Sequence, residues 1–120
     1  MTPPINAVCD VDPGVLAAIG APPRLFPAGL VEERVPTPYV VWQIVSGVPG
    51  NYLADRPQID DFTLQIDAYG RTLAEARAAA KAMRDAIEPH AYVVAWNGEE
   101  RDEATGLIVY SFTVDWLTQR

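Results

Sequence analysis

Residues 61–88 read DFTLQIDAYGRTLAEARAAAKAMRDAIE. The first nine alternate, with Phe62, Leu64, Ile66 and Ala68 on one side and Thr63, Gln65, Asp67 and Tyr69 on the other. That period of two predicts a strand over 61–69 with one apolar, inward face. Gly70 breaks it, and Thr72-Leu-Ala-Glu75 is a capping box in which hydroxyl and carboxylate satisfy the first orphan N–H groups of a helix. Leu73, Ala76, Ala80, Met83 and Ile87 then recur at steps of three and four, a single apolar stripe. Glu75, Lys81, Arg84, Asp85 and Glu88 occupy the other side, with Lys81/Asp85 and Arg84/Glu88 at i,i+4 spacing. Pro89 stops the helix. A one-sided strand followed at once by a one-sided helix is the unit of an α+β fold, the stripe lying on the sheet.

Working outward, 91–96 and 107–116 read as two more strands. In the last, Ile108, Tyr110, Phe112, Val114 and Trp116 form the apolar set and Val109, Ser111, Thr113 and Asp115 the more polar one. The separator 97–106 carries Asn97, Gly98, four acids, one arginine and Gly106, and is expected to be a charged hairpin loop. Upstream, 39–46 reads YVVWQIVS, dense in β-branched and aromatic residues. Val40, Trp42 and Ile44 point one way and Tyr39, Val41, Gln43 and Val45 the other. Both faces are largely apolar, which suits a central strand or one whose outer face is covered by another subunit.

Residues 47–60 contain Gly47, Pro49, Gly50, Asn51 and Pro57 and are expected to be a long loop, a candidate contact element. Residues 1–38 are rich in proline and weak in periodicity, and are expected to be an arm with one short helix. Asp12 would cap that helix, with Pro13 at its first position and Gly20 at its end, and 24–26 could form a short strand. The expected architecture is a single α+β domain over 1–120, with a mainly antiparallel or mixed sheet of four to five strands, one long helix and one short N-terminal helix.

Composition agrees. The chain has 120 residues, fit for one domain, and its 49% hydrophobic content is that of a packed protein. No stretch has the length of a membrane span, and the N-terminus lacks a signal-peptide pattern, so residence in a cytoplasm is expected. The formal charge of −7 without a basic run argues against nucleic-acid binding. Cys9 is the lone cysteine, which excludes an internal disulfide and reads as a small core residue.

Catalytic patterns do not accumulate. The single histidine, His90, follows a helix-ending proline and has no nucleophile motif beside it. Asp60/Asp61, Asp10/Asp12 and the acids at 99–103 lack ligand or acid–base spacing and read as solvated charge. No phosphate-cradling glycine motif occurs. No enzyme activity, cofactor or metal is expected. Of the strand aromatics, Trp42, Tyr92, Trp96 and Trp116 read as core, whereas Tyr39, Tyr52 and Tyr69 fall on the outer face or in the loop.

Two segments carry a resemblance. Pro38-Tyr39-Val40-Val41-Trp42-Gln43, followed by Ser46-Gly47 and a proline-containing loop, is similar to the Pro-Tyr-Val-Val-aromatic-Gln strand of the tail-completion, or tail-terminator, proteins of long-tailed bacteriophages. Gln65-Ile66-Asp67-Ala68-Tyr69 and the alanine-rich helix after it resemble that family's next strand and helix. Together they span 36–88 in the same order. Trp42 stands where a tyrosine is more usual, and Gly70 where a longer polar residue often sits.

The resemblance implies a structural virion protein. Several copies, commonly six, would close into a ring on the head-proximal end of the tail tube, end tube growth and offer a joining surface to the head. Implied partners are copies of the same chain, the major tail-tube protein and the head connector or completion protein, with no nucleic-acid specificity and no membrane. The expected location is the virion tail of a phage or prophage, assembled in the bacterial cytoplasm. Candidate interface residues are Tyr39, Val41, Gln43, Tyr52, Arg56, Gln65, Asp67 and Tyr69. Arg24, Arg34, Arg56, Arg71 or Arg101 would meet a neighbour's carboxylates. The competing expectations are a tail-tube or head-completion protein of the same virion, and a small-ligand binding domain with a pocket near His90.

Overall fold

The capping box at Thr72 starts the longest helix, α3 (Leu73–Ile87), in a computed structural model that describes residues 3–49 and 59–119. The Glu75 N–H donates to Thr72 Oγ1 at 3.1 Å. The reciprocal bond is displaced by one residue, since Glu75 Oε1 accepts from the Arg71 N–H at 3.3 Å. Gly70 sets the entry: a Cβ there would stand 2.6 Å from the Ala76 nitrogen, so the strand meets the helix too closely for a side chain. Ala76, Ala79, Ala80, Met83, Ala86 and Ile87 are buried, their small side chains bringing α3 down onto the sheet. Leu73, expected in the stripe, is exposed at the helix's first position. The i,i+4 pairs form, Lys81 to Asp85 at 2.8 Å and Arg84 to Glu88 at 3.7 Å.

Five strands make one mixed sheet: β1 (Leu25–Pro27), β2 (Tyr39–Pro49), β3 (Ile59–Gly70), β4 (Tyr92–Arg101) and β5 (Ile108–Gln119), ordered β1-β2-β3-β5-β4. β1 runs parallel to β2, and every other pair is antiparallel. β3 is the central strand, with Leu64, Ile66 and Ala68 fully buried beneath α3. Phe112, Val114 and Trp116 of β5 complete that face.

The N-terminal segment departs from the expected arm. It forms two helices, α1 (Ile5–Cys9) and α2 (Pro13–Ile19), packed against α3 in the same layer. Ile5, Cys9, Val15 and Ile19 are fully buried. The Val15 N–H donates to the Asp12 cap at 3.0 Å, and Trp42 Nε1–H donates to Asn6 Oδ1 at 3.1 Å, tying α1 to β2. Gly20, at φ 97, ends α2. The expected short helix is α2, with Asp12 as its cap and Pro13 at its first position, and the expected 24–26 strand is β1, so α1 is the unforeseen element.

Strand ends also differ. β2 continues through Pro49 and β3 begins at Ile59, so 47–49 and 59–60 of the expected loop are paired backbone, and 50–58 lies outside the described residues. The expected 97–106 loop is strand to Arg101, leaving a short turn held by Asp102, which accepts from Thr105 Oγ1–H at 2.8 Å. Bulges at Val93/Ala95 and Trp96/Gly98 let the charged sequence stay in β4, with Gly98 at φ 104.

Candidate functional site

The three described helices cover one face of the sheet, and among the described residues no helix lies on the opposite face. Six of the candidate interface residues lie there as three facing pairs across β2 and β3: Tyr39 opposite Tyr69, Val41 opposite Asp67, and Gln43 opposite Gln65. Antiparallel register with side chains alternating at period two brings them together. Tyr52 and Arg56 lie outside the described residues.

Tyr39 and Tyr69 stack, ring centroids 4.9 Å apart and planes 13° off parallel. Tyr39 is only 8% exposed although no helix covers it. Gln65 Nε2–H donates to both Asp67 oxygens, at 3.1 and 3.3 Å. β5 continues the polar face, with Ser111 opposite Asp67 and Thr113 opposite Gln65, and Thr63 Oγ1–H donates to Asp115 at 2.8 Å.

A groove of about 630 Å³ runs between β3 and residues 97–103 of the β4–β5 hairpin. Gln65, Asp67, Tyr69 and Ser111 form its floor, and Glu100, Asp102 and Glu103 its acidic wall. Arg101 also lines the groove, its guanidinium donating to the Gly106 carbonyl at 2.9 Å. Burial, with Asp67, Asp102 and Tyr39 adding to it, pushes the Tyr69 hydroxyl up to about 12. Burial and Asp102 raise Tyr39 as well. Both phenols stay neutral and act as hydrogen-bonding, apolar-bodied contacts.

This face offers shape, hydrogen-bonding groups and negative charge. Thr63 and Thr105 donate to the Asp115 and Asp102 carboxylates, and Ser111 Oγ accepts from Asn97 Nδ2–H at 3.5 Å. His90 lies outside the groove, its ring parallel to that of Trp116 at 6.5 Å. Among the described residues no three His, Cys, Asp or Glu side chains converge as metal ligands, and no helix is long and apolar enough to cross a membrane.

Two groups were misplaced by the sequence reading. Tyr92 and Trp96, expected in the core, are exposed on β4, Tyr92 to 67%, because β4 is the outermost strand and Tyr92 stands opposite Asp115, on the face away from the helices. Glu100, Asp102 and Ser111 join the candidate face although 97–106 read as a loop. The signal for Ser111 was the polar alternation of β5, which shares a face with Gln65 and Asp67 once the strands pair.

The fold and face can be set beside known proteins. The family model described as tail completion protein gp17 matches residues 3–119. Among solved structures, a chain from the virion of the native gene transfer agent (GTA) particle has the same fold, at a TM-score of 0.70 and 15% identity, with 97% of this chain and 92% of that chain covered. No curated protein matches the sequence.

Proposed function

The chain belongs to the tail completion protein family, a family of structural virion proteins, and from that membership we propose that it caps the tail tube at its head-proximal end. In this reading copies of the chain, six in number, close into a ring that ends tail growth and presents a surface to the head connector. The match over 3–119 carries the proposal, since it spans every described strand and helix. Its neighbours would be other copies, the last ring of tail-tube subunits and the head completion protein, met in the host cytoplasm during assembly. It performs no reaction and needs no cofactor.

The open face supports this reading. A sheet face that holds a stacked tyrosine pair, apolar Val41 and an acidic groove without a helix over it suits contact with other proteins. In a chain of charge −7, copies repel unless cations meet carboxylates across the joints. Arg24 donates to the Pro38 carbonyl at 2.9 Å and Arg101 to that of Gly106. Arg34 and Arg71 are exposed and are the proposed cations for a neighbour's acids.

Negative-stain imaging of the purified protein at rising concentration tests the proposal. Closed rings of uniform diameter are expected. Open tubes of indefinite length would instead assign the chain to the tube itself.

A further inference from the structure

The two margins of the sheet are built differently. β1 pairs with β2 only from Val40 to Trp42, and its last bond is the Ala28 N–H to the Trp42 carbonyl at 2.8 Å. Among the described residues no strand pairs with 43–49 on that side. The stretch holds no charged residue, and Ile44 and Val45 are 43% and 49% exposed. Sheet edges are normally blunted by charge, proline or a covering element, because unpaired N–H and C=O groups recruit other strands. A bulge at Val45 is the main described irregularity in the open part before Pro49.

The far margin, β4, falls into two halves. Residues 99–101 are Glu-Glu-Arg, a charged, defended end. Residues 92–98 have no charge and expose Tyr92, Trp96 and Val94, the last to 51%. The open stretches 43–49 and 92–98 are equal in length and alike in chemistry.

Strand direction matches them further. β2 and β5 run one way and β3 and β4 the other. Rotating a second copy about an axis roughly along the strands preserves those directions, so its β4 arrives antiparallel to β2. Along the sheet's own register Tyr92 is level with Ser46 and Gly98 with Val41, so a tilt of the axis that slides the incoming strand two to three residues toward Pro49 sets 92 beside 49 and 98 beside 43. The uncharged half of β4 faces the open part of β2, and the charged half passes beyond it toward the end of β1. A contact between two unlike edges, repeated by a rotation that divides the full circle without a rise, closes a ring.

We infer that the 43–49 edge of β2 is the docking site for β4 of a second copy, residues 92–98 adding an antiparallel strand and joining the sheets from subunit to subunit. The inference rests on the ring reading above and names its joint. Main-chain hydrogen bonds hold the strands, and Ile44, Val45, Tyr92, Val94 and Trp96 supply the apolar contact.

The test combines Val45→Cys in turn with Val94→Cys, Ala95→Cys and Trp96→Cys in the full chain. Mild oxidation is read on non-reducing gels, beside images of the unoxidised protein. Native Cys9 is fully buried and stays in place. At least one double variant is expected to give a ladder ending at the ring size, while the single variants and Val45→Cys with Lys81→Cys remain monomeric. Val45→Lys is expected to reduce the assembled fraction about tenfold or more, since it places a charge in the joint, with the monomer's circular dichroism and melting unchanged. Wild-type rings without any cross-link, and with Val45→Lys assembling normally, would overturn the edge pairing and leave the ring standing. Absence of both rings and cross-links would overturn both.

Discussion

Tyr39 and Tyr69 face one another across β2 and β3 with ring centroids 4.9 Å apart, on the side of the sheet that none of the described helices covers. The resemblance marked both as contact residues, and the stack gives them a second role, because each ring shields the other from water. Stacked aromatic pairs add about 0.5–1.5 kcal/mol beyond the area they bury.

Tyr39→Ala is therefore expected to lower folding stability by about 2 kcal/mol, and Tyr39→Phe by far less, since the ring remains. Chemical denaturation of Tyr39→Ala, Tyr69→Ala, the double variant and the parent gives the coupling. Additive losses would show that the stack contributes nothing of its own.

The junction of β3 and α3 gives a second expectation. Gly70→Ala puts a carbon 2.6 Å from the Ala76 nitrogen and forces strand and helix apart, at a cost of about 1–3 kcal/mol. Thr72→Ala removes the cap and costs about 1 kcal/mol. Urea melts of the two variants should rank them in that order or as equals. A Gly70→Ala protein as stable as the parent would show that the junction yields freely.

Met83 lies fully buried at the centre of the helix layer, its sulfur 3.9 Å from Cys9 Sγ. Met83→Ala opens a cavity between α1, α3 and the sheet and is expected to cost about 2–5 kcal/mol. Thermal unfolding followed by circular dichroism measures it. A loss under about 1 kcal/mol would mean that the N-terminal helices close over the gap.

Alkaline pH should loosen the fold. Burial first, then Asp12 and Asp10, push the Cys9 thiol from 9.0 up to about 12, and Tyr69 rises from 10.0 to about 12. In both cases the folded state holds its proton where the unfolded chain has released it. Between about pH 9 and 12 the folded state thus binds more protons, and stability falls as pH rises. The stabilisation is fully present below pH 9. Melting temperatures across that window should decline, and Cys9→Ala should decline less steeply than the parent over its lower part. Identical slopes would show that the thiol is not held protonated.

The pattern in 61–88 announced the centre of the fold, because β3 and α3 each bury one face and local periodicity reports that directly. Asp12 and Pro13 likewise announced α2. What stayed hidden depended on neighbours: α1 has five residues and no cap side chain, so only its packing against α3 makes it a helix. Tyr92 and Trp96 look like core residues until β4 is known to be the outermost strand. The candidate face was half legible. Gln65, Asp67 and Tyr69 followed from alternation, but Glu100, Asp102 and Ser111 join them only through the pairing of β5 with β3 and with a bulged β4.

The central claim is that this chain ends a tail tube. Purified protein added to growing tail tubes, followed by electron microscopy of tube length and tube ends, tests it most directly. The expected result is a ring at one end of each tube and arrested elongation, with tube length fixed at the moment of addition. Tubes that keep growing with bare ends, or that take up the protein along their length, would contradict it.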